Sequence, residues 1–195
     1  MPTVINGLPA HILLIHVVIV LVPLGALFTV LSAVWPVARR KLGFISPLTC
    51  LIALIFVPIT TNAGYWLKNH IHASGQLEDR ILTHEHLARY FFWYVLPLFL
   101  VSVAVWWLGR SYEFGVVAMG KPDDAALPSS GGTGGLSGGA VATRAQPQTG
   151  MKVLPQWQSI VIAVVAVVVS VIVVWQLYRI GDAGSRSVWG NVVSN

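Results

Sequence analysis

The sequence predicts an all-α, polytopic membrane protein: four transmembrane helices in a bundle, with a Gly-rich loop between spans three and four. Two observations carry this. The 195-residue chain is 55% hydrophobic and only 10% charged, with a mean hydropathy of +0.74, whereas soluble domains carry about 25% charged residues. The few charges are also absent from four long runs, Met1–Ala38, Leu42–Leu67, Tyr90–Gly109 and Val153–Tyr178. Each run reaches the roughly 20 residues that cross ~30 Å of hydrocarbon at ~1.5 Å per residue. Three parts follow: a three-span region over residues 1–110, a flexible cytoplasmic linker over 111–152, and a fourth span with an exported tail over 153–195.

Span one runs from about Leu8 to Trp35. Pro9 suits a first helical turn, where its missing N–H has no partner to lose, and Pro23 predicts a kink. The charges Arg39-Arg40-Lys41 follow the run instead of preceding it, and Ala33-Val34-Trp35-Pro36 is a poor cleavage site, so the run reads as a permanent span and not as a signal peptide. Span two, about Phe44–Leu67, contains Pro58 and the chain's one cysteine, Cys50, which leaves no disulfide framework and no CxxC pair. A loop with His70 and His72 leads to a polar helical stretch, Leu77–Arg89, that runs into span three, Tyr90 to about Leu108, with Pro97 as a kink site. The run Gly131–Gly139 reads as a flexible tether. Span four, about Leu154–Tyr178, is nearly all Val, Ile and Ala, and in lipid a helix satisfies its backbone. The stretch Tyr178–Gly184, with Gly181 and Gly184, reads as the cap of that helix.

Cytoplasmic loops carry the excess of Lys and Arg. With both chain ends outside, the inner loops hold Arg39, Arg40, Lys41, Arg110, Lys121, Arg144 and Lys152, against Lys68, Arg80, Arg89, Arg179 and Arg186 on the outer side. The compact Arg39–Lys41 cluster decides the orientation: a multi-pass cell-membrane protein with N- and C-termini outside. No basic stripe stands apart from the loops, which argues against nucleic acid. The partners expected are the bilayer and either other membrane proteins or further copies of this chain.

In that topology all 6 histidines are outer. Counting ~20 residues back from the inner end of span one puts the hydrocarbon edge near Leu13 or Leu14. His11 then sits about a turn above the edge and His16 about a turn below it. His86, four residues before Tyr90, lies level with His11 and shares a face with Arg89, Tyr90 and Trp93. His84 points elsewhere, since two residues turn a helix by ~200°. Histidines inside a membrane mark sites or paths. One reading is a cofactor site of His11, His16 and His86 for haem b or a divalent metal, imidazole suiting iron, zinc and copper alike. Another is proton or quinol chemistry, because histidine titrates near neutrality. A third is interhelical hydrogen bonding by His11 and His16. Glu85 and Arg89, four apart, read as an interfacial ion pair. No nucleotide-binding, hydrolase or zinc-protease fingerprint is present, and no catalytic residue is assigned.

The start Gly7-Leu8-Pro9-Ala10-His11 with His16, the four-span layout, and Tyr178-Arg179-Ile180-Gly181 after the last span resemble a bacterial membrane family catalogued as domain of unknown function 2231. The resemblance leaves out Arg110–Gly150, which looks like an insertion. Some members resemble redox-associated proteins fused to iron–sulfur domains, which implies a respiratory neighbourhood. This chain has no cysteine pair to hold such a cluster. The function expected is therefore a non-enzymatic, accessory or structural component of a membrane assembly of respiratory type. The competing expectation is a haem- or metal-binding electron-transfer protein with its histidine site on the outer side.

Overall fold

The computed structural model describes residues 4–5, 8–70, 75–114 and 152–189. Most of the expected linker, 115–151, and His72 lie outside the described residues. The described residues are almost entirely helical: α1 Ala10–Val34, α2 Pro36–Leu42, α3 Ile45–His70, α4 Gln76–Arg89, α5 Phe91–Ser111 and α6 Gln156–Trp189. Two short strand pairs accompany them. Strand β1, Val4–Ile5, pairs antiparallel with β2, Leu8–Pro9, and β3, Tyr112–Phe114, pairs parallel with β4, Lys152–Leu154. Four stretches are long and apolar enough to cross a membrane: α1, α3, α4 with α5, and α6. Within the third of these, α4 carries Glu78, Asp79, Arg80, Glu85 and Arg89, and the apolar run begins with α5.

Local chemistry sets the ends of these helices. Trp35, next to Pro36, is extended at φ −116° and ψ 113° and ends α1, because proline excludes the helical conformation from the residue before it. Pro36 then opens α2 at its first turn. Arg39, Arg40 and Lys41 fill the last turn of α2, where positive charge meets the negative end of the helix dipole. Gly43, at φ 40°, makes the sharp corner into α3. Arg39 reaches back along α1, donating from Nε to the Ser32 carbonyl at 2.7 Å and from a terminal nitrogen to the Ala33 carbonyl at 2.9 Å. Those carbonyls lie in the last turn of α1, where helix carbonyls lack partners. Burial lowers the Arg39 guanidinium to about 10, so it stays charged at neutral pH.

α1 packs most extensively on α3, then on α6 and α5, while α5 packs on α3 and α6. The α1–α3 contact is rich in small residues, which allow the two helix backbones to approach closely. Gly25, Thr29, Ser32 and Ala33 of α1 are buried, as are Ser46, Cys50 and Ala53 of α3. Thr29 Oγ1 donates to the Gly25 carbonyl at 2.7 Å and lies 3.4 Å from Ser46 Oγ and 3.6 Å from Cys50 Sγ. Nearer the histidines the interior turns apolar, with Val18, Val22, Val57, Phe91, Val95, Leu98 and Val173. The outward faces are apolar as well, Val20, Leu100 and Val171 among them.

Two expectations change. The polar helix expected to run on into span three is separated from it by a break at Tyr90, φ −95° and ψ 1°, between α4 and α5. Gly181 and Gly184 do not cap the fourth span, because α6 continues through both to Trp189. At 34 residues it is ~51 Å long against ~30 Å of hydrocarbon. The overrun has a partner, since α6 packs against α4.

Candidate functional site

The polar chemistry gathers at one end of the helices, where α1 begins and α3 ends. The β1–β2 pair leads directly into α1, which places His11 in its first turn. His11 Nδ1 lies 3.0 Å from the Thr60 carbonyl of α3. A Cβ built on Gly64 of α3 would stand 3.0 Å from His11 Cε1 and 3.2 Å from Nδ1. The imidazole therefore lies flat on the glycine and reaches the carbonyl one turn back.

The same device occurs a second time. His84 Nδ1, on α4, lies 3.0 Å from the Ile180 carbonyl of α6. A Cβ on Gly184 of α6 would be 3.2 Å from both His84 Cε1 and Nδ1. In each case a histidine of one helix ties itself to a neighbour through a glycine and the carbonyl four residues before it. A carbonyl only accepts, so Nδ1 carries the hydrogen in both rings and Nε2 of the neutral ring holds a lone pair.

Both rings line one cavity of about 60 Å³, walled by Ile15, Val18, Val57, Thr60, Phe91, Leu177 and Ile180. Thr60 and Thr61, also on its wall, donate their hydroxyls to the Phe56 and Val57 carbonyls. No carboxylate is among the lining residues. Burial holds the His84 imidazole below the ordinary histidine value; the Ile180 carbonyl opposes this, and positive charge on His11 adds to it.

The expected trio of His11, His16 and His86 is not brought together. His16 faces outward from the packed helices, its Nδ1 bonded to the Ile12 carbonyl of its own helix at 2.6 Å. Its expected interhelical bond is therefore not made, whereas His11 makes one to α3. His86 is exposed, its ring edge-on to Tyr90 at 5.9 Å, and it lines a different, open hollow with Leu82 and Arg89. His84 takes the inward position instead. His70 stacks on Trp66 at 4.0 Å and bonds the Trp66 carbonyl. Among the described residues no group of three or more His, Cys, Asp or Glu could hold a metal ion. Two imidazoles with free Nε2 atoms have the donor character of haem ligands. The cavity of about 60 Å³, however, is far below the roughly 300–1,000 Å³ that encloses a drug-sized ligand, and a haem does not fit it.

A charged cluster lies beside the pair. Glu85 bonds Lys68 of α3 and, at 3.1 Å, Arg89, while Arg89 Nε donates to Tyr65 at 3.2 Å. The expected Glu85–Arg89 pair is thus present, with Lys68 as a further partner. The Lys68 hydrogen bond holds the Glu85 carboxyl below the ordinary carboxylate range. No family model, curated protein or solved structure matches the chain.

Proposed function

We propose that the chain is a four-span bundle of a cell membrane, both ends on the outer side, serving as a non-catalytic component of a larger membrane assembly. The mutual packing of α1, α3, α5 and α6 supports the bundle. Arg39, Arg40 and Lys41 stand at the end of the spans away from His11, which supports a cytoplasmic position for that end. The observation that carries the assembly role is His16. Polar side chains within spans face a bundle interior, a watery cavity or a partner. His16 faces outward, in a surface with Ile12, Leu13, Ile19 and Val20 exposed by 44%, 41%, 45% and 61%. Its Nδ1–H is committed to the Ile12 carbonyl, which leaves Nε2 as an acceptor for a donor brought by another span. Such bonds contribute about 0.6–2 kcal/mol in membranes. The respiratory setting rests on the resemblance to the family named domain of unknown function 2231.

A photo-crosslinking residue at Val20, in native membranes, tests the role. The expected result is an adduct to one membrane protein or to a second copy of the chain, reduced severalfold by His16→Leu. A chain that yields no adduct, and runs as a monomer in mild detergent, refutes it.

A further inference from the structure

We propose that His11 and His84 bind a single monovalent copper ion, through their two Nε2 atoms, in the cavity they share. A metal-ligating histidine characteristically donates its other ring N–H to a carbonyl or carboxylate, which fixes the tautomer and the ring plane. Both histidines do this, on separate helices, at 3.0 Å each. Gly64 and Gly184 provide the flat beds on which the rings lie. One such ring ties two helices together; two on the wall of one cavity place a pair of imidazole donors around the same space.

The donor set selects the metal. Calcium and magnesium want six or more oxygen ligands, and structural zinc wants four nitrogen or sulfur ligands. Here the nitrogens number two, and no third His, Cys, Asp or Glu completes a metal group among the described residues. Cys50 is ten residues from Thr60 on α3, or ~15 Å along the helix, and sits against Thr29. Charge decides further. A divalent ion would bring two positive charges into an apolar wall without a carboxylate, and an uncompensated buried charge is costly. Glu85, next to His84, is occupied by Lys68 and Arg89. Monovalent copper brings one charge, has a filled d shell, and takes two neutral nitrogen ligands in a linear arrangement. Imidazole is a good copper donor. Because Nδ1 holds the hydrogen, Nε2 binds the ion without releasing a proton, and no electron is transferred.

The full chain in detergent, kept anaerobic, is titrated with Cu(I) against a chromophoric chelator. One equivalent per chain is expected. His11→Gln and His84→Gln keep an N–H for the Thr60 and Ile180 carbonyls, and each should weaken binding beyond the roughly 10–100-fold that loss of an orienting partner costs. His16→Gln and His86→Gln should change it less than about threefold, so this outcome is independent of the His16 assembly role. X-ray absorption on the unsubstituted protein needs no variant, and two imidazole nitrogens without sulfur are expected. Absence of binding, binding that survives His84→Gln, a sulfur or four-ligand signature, or equal affinity for zinc each overturns the proposal. So does a Soret band from added haemin that His84→Gln abolishes.

Discussion

Gly25→Ala tests the packing of α1 on α3 most directly. A Cβ at Gly25 would lie 2.9 Å from Cys50 Sγ, while the Cys50 backbone N and Cα would be at 3.6 and 3.7 Å, ordinary contact distances. The sulfur alone is in the way, and it has no room to yield. Cys50 is 0% exposed and Thr29 Oγ1 stands 3.6 Å from Sγ. Overpacking of this kind costs about 1–3 kcal/mol. Alanine's helix preference over glycine returns up to about 1 kcal/mol, so a net loss of about 1–2 kcal/mol is expected. Cys50→Ala removes the obstacle. In that background Gly25→Ala should be neutral or stabilising, which makes the two changes couple by about 2 kcal/mol. Reversible unfolding in mixed micelles, followed by tryptophan fluorescence, measures the four corners of the cycle. Coupling below about 0.5 kcal/mol, the level at which independent sites add, would refute the close approach of the two helices at this point.

Other changes have sharply different expected sizes. Arg39→Ala removes two charge-assisted bonds to the end of α1, and at about 1.5–3 kcal/mol for a hydrogen bond to a charged group it should lower the unfolding midpoint clearly, with Arg39→Lys intermediate. Glu85→Gln breaks an ion pair with a one-third exposed Lys68, 33% by side chain, and should cost under about 1 kcal/mol in the same assay. His84 is held below its ordinary value of 6.5 in the folded chain, so as pH falls the unfolded state takes up this proton first. Its contribution is full above about 6.5 and is lost as pH falls below that. The unfolding midpoint should decline on that acid side, less steeply in His84→Gln than in the unsubstituted protein.

The four helices long and apolar enough to cross a membrane were legible because hydrocarbon tolerates almost no charge, so charge-free runs mark them without any knowledge of packing. The sequence singled out His11 by its depth but not its inward face, which only the packing shows: it continues the stripe of Val18, Val22, Gly25 and Thr29 that α1 turns inward. His84 was missed because His86 carries the more conspicuous pattern, with Arg89 and Tyr90 following it, and such a pattern belongs equally to a rim facing outward. The signal that finds His84 is the buried stripe of α5. Leu98, Val95 and Phe91 run back through Ala88 to His84 at spacings of three and four. The length of α6 was hidden for a different reason. Gly181 and Gly184 carry the usual mark of a helix end, and only the ring of His84 resting on α6 shows why a glycine is placed inside the helix. Small side chains record a neighbour's shape, which one-dimensional patterns do not contain.

The parallel pairing of Tyr112–Phe114 with Lys152–Leu154 has a practical consequence for anyone working with the protein. Paired strands lie about 4.7–4.9 Å apart, so Phe114, where β3 ends, and Lys152, where β4 begins, lie close together in one short strand pair, a single doorway in the helical body. Lengthening a connection between two such points costs only about 0.6 kcal/mol per doubling. A reporter domain with adjacent termini, grafted there, would hang from the doorway without prising α5 from α6. It would give a 21.1 kDa chain a landmark large enough to orient in electron micrographs, and a tag whose protease accessibility reports which side of the membrane the doorway faces.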